Sequence, residues 1–247
     1  MPMPVPVPVF VPVSVSVQTA ARPPVRTLVF DLDGTLVDTA PDLIAATNHT
    51  LASLGRPHAD SAALRNAVSH GALAMIRTGI GDDARDWPEE QLYPLLTTFL
   101  AHYEDNIAAN SRPFDGLIET LDALDDAGYR LAVCTNKQER LARRLLDELG
   151  LSARFAVIAG RDTFPVYKPD PGHLTMTVEK AGGQIAHAVM IGDSGVDVAT
   201  AKNAGVPVVA VSFGYSDPPV ATFAPDALID HYDALPLALV RLKGSWL

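Results

Sequence analysis

Residues 29–41 read Val29-Phe30-Asp31-Leu32-Asp33-Gly34-Thr35-Leu36-Val37-Asp38-Thr39-Ala40-Pro41. An apolar run over 26–30 ends in two aspartates two positions apart, followed by a glycine and a threonine. Two unit charges about 4 Å apart at an effective dielectric of about 20 repel by about 4 kcal/mol. A chain that places both carboxylates at the end of a strand therefore needs a positive group to offset them. Asp38 reads as a turn residue beyond the pair, and Thr39 as a helix cap ahead of Pro41.

Outward from this stretch, short β-branched runs alternate with helical patterns. Strands are expected over 26–30, 129–134, 155–159, 188–191 and 207–211, and helices over 115–127, 138–149, 171–181 and 196–204. Gly128, Gly150, Gly182 and Gly205 stand where each helix would stop. Strands alternating with helices predict an α/β fold with a parallel sheet. The alternation breaks once, between residues 40 and 113, where the spacing predicts helices over 41–54, 61–68, 71–80 and 89–110. Gly55-Arg56-Pro57 and Gly81-Asp82-Asp83 separate them. Leu92, Leu95, Leu96, Phe99 and Tyr103 recur at helical spacing within the last of these. The expected organisation is a flexible Val/Pro-rich arm over 1–25, a core built from 26–40 and 113–247, and a small helical domain over 41–112.

The 247 residues are 48% hydrophobic, enough for a sizeable core. Twenty-nine acidic against nineteen basic residues give a net charge of −10, with no Lys/Arg-rich run to follow a phosphate backbone. Nucleic acid and anionic membrane surfaces are thereby excluded as expected partners. The apolar N-terminus has no Lys or Arg before Arg22 and a proline at nearly every second position of its first stretch, which forbids a signal-type or spanning helix. It reads as an extended appendage, or as a product of where translation was taken to start. No other stretch is apolar and long enough to cross a bilayer. The single cysteine, Cys134, lies in Leu131-Ala132-Val133-Cys134 and reads as a buried strand residue, compatible with a reducing cytoplasm.

Parallel sheets bind ligands beyond the carboxyl ends of their strands. Four polar clusters fall there or nearby: Asp31 and Asp33; Thr135-Asn136-Lys137; Lys168 in Phe164-Pro165-Val166-Tyr167-Lys168-Pro169-Asp170; and Asp193 with Asp197 four residues on. Singly, each has an ordinary reading: a turn, a helix cap, a solvated charge. Together they bring carboxylates, a hydroxyl and an ammonium to one sheet edge. That concentration calls for a hard divalent cation with oxygen ligands, and Mg²⁺ joins one or two carboxylates to a substrate phosphate. Gly214-Tyr215-Ser216-Asp217, after the last strand, reads as a surface loop at the same edge, or as a lining of the entrance.

Asp31-Leu32-Asp33-Gly34-Thr35, Thr135-Asn136, Lys168-Pro169-Asp170 and Gly192-Asp193 through Asp197, in this order over about residues 26–240, resemble the haloacid-dehalogenase-like phosphohydrolases. The resemblance implies a Rossmann-like parallel-sheet core with an inserted α-helical cap. It also implies an enzyme, a phosphomonoester hydrolase, working through an aspartyl phosphate. Asp31 would then be the nucleophile and Asp33 the acid and base. Mg²⁺ would be held by Asp31, the main-chain carbonyl of Asp33, and Asp193. Asp197 would orient Lys168 or a metal-bound water, while Thr135, Asn136 and Lys168 bind the phosphoryl oxygens. FDLDGTLVDTAPDL, SRPFDGLIETLDALDDAGYRLAVCTNK, VYKPDP and VMIGDSGVDVATAKNAGVPVVAVSFGY are similar to the phosphoglycolate phosphatase branch. Val68-Ser69-His70-Gly71-Ala72-Leu73 departs from that branch and resembles phosphatases of amino-sugar phosphates. A sugar-phosphate mutase would share every core motif. The expected partner is a small phosphorylated metabolite, met by a cytoplasmic monomer or homodimer. A carboxylate on the substrate would need a further cation or several amide donors. Lys137, His70 and Arg77 are candidates, each also readable as a first-turn surface residue, a helix cap and a solvated helix charge respectively.

Overall fold

The computed structural model describes residues 25–242 together with Met1 and Met3. The expectation of an arm over 1–25 thus falls, apart from Met1, Met3 and Val25, outside the described residues, as does the end of the core beyond 242.

Six parallel strands form one sheet in the order β5-β4-β1-β6-β7-β8. They are β1 (Thr27–Phe30), β4 (Arg130–Cys134), β5 (Val157–Ala159), β6 (Ala188–Gly192), β7 (Val208–Val211) and β8 (Ala227–Ile229). Alternate residues serve opposite faces, as a period of two requires. Leu28, Phe30, Leu131, Val133, Val189, Ile191 and Val209 pack towards α5 (Leu117–Asp126), α6 (Glu139–Glu148) and α9 (Leu235–Arg241). Val29, Ala132, Cys134, Met190 and Val208 pack towards α7 (Pro171–Lys180) and α8 (Gly195–Ala204). Being buried on both faces, the strands other than the edge strand β8 read as nearly continuous apolar runs. Cys134 is a member of this core, and burial pushes its thiol up to about 12, which leaves it inert at neutral pH. Gly128, Gly150, Gly182 and Gly205 all adopt positive φ, as helix stops do.

Between β1 and β4 the chain leaves the sheet through a two-residue antiparallel ribbon, β2 (Val37–Asp38) with β3 (Arg112–Pro113). Four helices lie between the two ribbon strands: α1 (Ala40–Ser53), α2 (Ser61–Ala67), α3 (Ala72–Ile80) and α4 (Glu89–Asp105). Their apolar faces meet through Leu43, Leu64, Met75, Ile76, Leu92 and Phe99. Each such buried side chain contributes about 1.5–3 kcal/mol. Where the insertion returns, the Asp42 carboxylate accepts hydrogen bonds from Asn110 N (3.0 Å), Asn110 Nδ2 (2.9 Å), Ser111 N (2.8 Å) and Ser111 Oγ (2.7 Å). That clasp explains why α4 stops at Asp105 rather than Asn110: the last residues must turn back to meet Asp42. Thr39 occupies the N-cap position of α1, but its side chain makes no capping bond and its buried hydroxyl has no partner among the described residues. The expectation of a Thr39 cap is therefore corrected. The ribbon, β8 and α9 were not anticipated. No helix among the described residues is long and apolar enough to cross a membrane.

Candidate active site

The sheet order reverses between β1 and β6, so the loops after these two strands diverge and leave a crevice at their carboxyl ends. Asp31 follows β1 and is pinned there by its own amide, which donates to the Ile191 carbonyl on β6 (2.9 Å). Asp193 follows β6. Lys168 reaches in from the loop ahead of α7, and Asp197 from the first turn of α8.

Lys168 is nearly fully buried, with Nζ 2.6 Å from Asp197 Oδ1 and 3.0 Å from Asp31 Oδ1. Burial alone would lower its pKa, but the two carboxylates outweigh burial and raise it, so the ammonium stays charged. Asp197 is wholly buried and has both oxygens engaged: Oδ1 holds Lys168, and Oδ2 accepts from Ser194 N (3.1 Å) and Ser194 Oγ (2.6 Å) in the capping box of α8. One carboxylate thus both caps α8 and pairs with Lys168. Asp193 accepts from Thr35 Oγ1 (2.8 Å) and from the Tyr215 amide (2.9 Å).

Carboxylate oxygens of Asp31, Asp193 and Asp197 all lie within 4.8 Å of one another. Burial, followed by the charges of neighbouring carboxylates, pushes Asp193 above the ordinary carboxylate range. Burial likewise raises Asp31, with Lys168 opposing it. One ammonium among three carboxylates leaves excess negative charge. Asp31 Oδ1 accepts no well-directed hydrogen bond among the described residues. An all-oxygen, over-negative, under-satisfied cluster is the donor chemistry that suits a hard divalent cation. This acidic group could hold a metal ion.

Glycines shape the backbone to the cluster, Gly192 against Asp197 and Gly34 and Gly214 against Asp193. Gly34 has φ +84°, and a Cβ there would fall 2.5 Å from Asp193 Oδ2. A Cβ on Gly214 would fall 2.2 Å from Asp193 Cβ. The Gly214–Tyr215 segment is thus no detached surface loop but the wall behind Asp193. Asp38 is likewise no idle turn residue. It accepts from Tyr215 Oη (2.6 Å) and pairs with Arg65 of α2 through both oxygens (3.3 and 3.2 Å), linking this wall to the helical insertion.

Asp33 is not a member of the acidic cluster. Its carboxylate binds Lys137 Nζ at 2.9 and 3.2 Å. Lys137 is not the exposed first-turn residue of the alternative reading: its side chain is 7% exposed, and Nζ lies 4.5 Å from the centroid of the Tyr103 ring of α4. Thr135 is buried and accepts from the Lys137 amide (3.2 Å). Asn136 does not extend a free amide: Nδ2 donates to the Lys168 carbonyl (2.9 Å) and so fixes the lysine loop. A cleft of about 350 Å³ opens over these groups, walled by Asp31, Asp33, Asp193, Thr135 and Lys137 from the sheet side and by His70 and Tyr103 from the insertion. His70 Nδ1 lies 3.2 Å from Ser69 Oγ. Arg77 does not reach the cleft. Its guanidinium bonds the carbonyls of Ala84 and Arg85 and holds the turn after α3, which corrects its candidacy. Thr35 and the Tyr103 hydroxyl are site groups that the sequence does not single out, and Tyr215 stands behind Asp193 rather than at the entrance. Thr35 stood inside the first motif, and Tyr215 followed a strand at the right edge.

The haloacid dehalogenase-like hydrolase family profile matches residues 28–211. A phosphoglycolate phosphatase of Mesorhizobium japonicum is 50% identical over 214 residues, 87% of this chain and 94% of that protein. An N-acetylmuramic acid 6-phosphate phosphatase of Pseudomonas aeruginosa is 37% identical over 209 residues, 84% of this chain and 91% of that protein. The crystal structure of a predicted phosphoglycolate phosphatase from Haemophilus somnus 129PT superposes with a TM-score of 0.79 at 28% identity, covering 87% of this chain and 98% of that one. The chain belongs to the haloacid dehalogenase-like hydrolases, in their phosphoglycolate phosphatase-like branch.

Proposed function

We propose that the protein hydrolyses 2-phosphoglycolate to glycolate and phosphate, with Asp31 as nucleophile, Asp33 as acid and base, and Mg²⁺ as cofactor. The observation that carries the reading is the Asp31 carboxylate: it lines the cleft, with Oδ1 paired to the buried Lys168 ammonium at 3.0 Å. A carboxylate so held, its side chain still 13% exposed, is placed to attack.

Asp31, the main-chain carbonyl of Asp33 and Asp193 would hold the cation, with Thr35 and the Tyr215 amide fixing the orientation of Asp193. When bound, Mg²⁺ supplies charge neutralisation for the carboxylates and the phosphoryl oxygens. Asp31 Oδ forms its bond to phosphorus as the bond from phosphorus to the glycolate oxygen breaks, and the Asp33 carboxyl gives that oxygen its proton. Asp33, now a carboxylate, takes a proton from the water that attacks the acyl phosphate, and release of phosphate restores Asp31. Lys168 Nζ neutralises charge on the nucleophile and the phosphoryl group, held in place by Asp197 behind it and by Asn136 on its carbonyl. Thr135 and the amides beside it receive the phosphoryl oxygens.

In this reading residues 26–40 and 113–242 form the catalytic core, and 41–112 form a cap whose closure excludes water from the first half-reaction. The setting is a cytoplasmic one, with a small phosphorylated metabolite as partner. A second reading, hydrolysis of an amino-sugar phosphate, is favoured by the 37% identical relative and by a cleft roomier than a two-carbon ester needs. Phosphate release from 2-phosphoglycolate, amino-sugar 6-phosphates and a nucleoside monophosphate, each with Mg²⁺ and with EDTA, separates the readings. The proposal expects 2-phosphoglycolate to give the highest kcat/KM and EDTA to abolish turnover. A preference for the amino sugar overturns the substrate, and full activity in EDTA overturns the cofactor.

A further inference from the structure

Tyr103 lines the cleft, and its buried hydroxyl, with the Lys137 ammonium beside it, donates a hydrogen bond to no group among the described residues. A buried polar group left unpaired costs stability unless something completes it. Its neighbour is the Lys137 ammonium, nearly buried and stacked on the Tyr103 ring, whose carboxylate partner among the described residues is Asp33. An idle phenol donor beside a desolvated cation, both bordering the cleft, matches the needs of one ligand class: a small anion with acceptor oxygens. The ammonium repels cationic ligands, and a neutral group would complete the phenol but gain little from the cation. The phosphoryl end is already provided for at Asp31, Thr135 and Lys168, so the second anion belongs to the rest of the substrate.

We infer that Tyr103 Oη and Lys137 Nζ together form the receptor for the carboxylate of the substrate, one donor from the helical insertion and one from the sheet. The inference rests on the proposed phosphoglycolate activity and names the groups that would select it. Burial keeps the phenol protonated, pushing it up to about 12, so it remains a donor throughout the neutral range. Because the two donors come from different segments, a carboxylate bridging them also draws α4 against the loop after β4. Recognition and closure over the cleft are then one event.

The test compares 2-phosphoglycolate with 2-hydroxyethyl phosphate, which replaces the carboxylate by a neutral hydroxymethyl group. The readout is the ratio of their kcat/KM values in wild type, Tyr103→Phe and Lys137→Met, with thermal unfolding confirming that each variant is folded. Tyr103→Phe keeps the ring and its packing and removes only the hydroxyl. The expected result is a large ratio in wild type that falls about tenfold or more in Tyr103→Phe and further in Lys137→Met, with the loss for 2-phosphoglycolate concentrated in KM. Hydrogen bonds to charged groups are of this strength. A large wild-type ratio that stays within twofold in Tyr103→Phe overturns the receptor while sparing the proposed activity. A wild-type ratio near one overturns both.

Discussion

Replacing Lys168 by methionine keeps the length of the side chain and removes its charge from the most crowded point of the molecule. At 2.6 and 3.0 Å, and an effective dielectric of about 20, the two carboxylates each attract the ammonium by about 5–6 kcal/mol. Burying the three charges offsets most of that attraction. Deleting one member of a buried ion pair therefore costs about 3–5 kcal/mol, because the partner charges remain without compensation. Solvent gives little relief, since Lys168 and Asp197 are at most 2% exposed and Asp31 is 13% exposed. Lys168→Met is expected to lose about 3 kcal/mol of unfolding free energy by urea denaturation in EDTA. Its kcat on 2-phosphoglycolate with saturating Mg²⁺ should fall about 10²–10³-fold, the typical loss of one electrostatic contact to a transition state. A variant within 1 kcal/mol of wild type would refute the reasoning about compensation. Near-normal turnover would remove Lys168 from the chemistry.

Other outcomes follow from the same geometry. Gly34→Ala places a Cβ 2.5 Å from Asp193 Oδ2 at a φ of +84°. It should remain folded while the Mg²⁺ concentration for half-maximal activity rises about tenfold or more, the equivalent of about 1.4 kcal/mol of strain passed to the ligand. Asp42→Ala releases the hydrogen bonds that close the two ends of the insertion and should cost about 3 kcal/mol by urea denaturation. Burial raises the Asp42 carboxyl, but the bonds from Ser111 and Asn110 outweigh it and hold the pKa below the ordinary value. A depressed carboxyl contributes stability that is complete above its unfolded pKa of about 4 and lost as pH falls through the folded value. The stability gap between wild type and Asp42→Ala should therefore be constant from pH 5 to 8 and shrink in stronger acid.

Much of this was legible in the residues, for physical reasons that differ from place to place. Thr27–Phe30, Arg130–Cys134 and Val208–Val211 were readable as strands because a parallel sheet buried on both faces demands continuous β-branched and apolar runs. Four helix ends were readable because glycine takes positive φ without penalty. The ribbon Val37–Asp38 with Arg112–Pro113 was not readable: two residues carry no periodicity, and the pairing is set by the clasp at Asp42. Asp193, Lys168 and Asp197 could be placed together from their positions after strands and before helices. The partners of Asp38 and Tyr215 could not, since they meet through loops of unspecified path. Lys137 could be read equally as a surface charge, because its burial depends on Tyr103, more than thirty residues earlier in the chain. Arg77 was misplaced because one helical turn decides whether a side chain faces the cleft or the carbonyls after α3.

The division of labour between Asp31 and Asp33 is the centre of the account, and Asp33→Asn with 4-nitrophenyl phosphate tests it most directly. Nitrophenolate leaves without a proton, so the first half-reaction does not need the acid, whereas the second still needs the base. On rapid mixing with Mg²⁺, the account predicts a burst of one nitrophenolate per active site followed by a stall, with mass spectrometry of the acid-quenched protein locating the phosphoryl group on Asp31. No burst, or a phosphoryl group on any other residue, would contradict it.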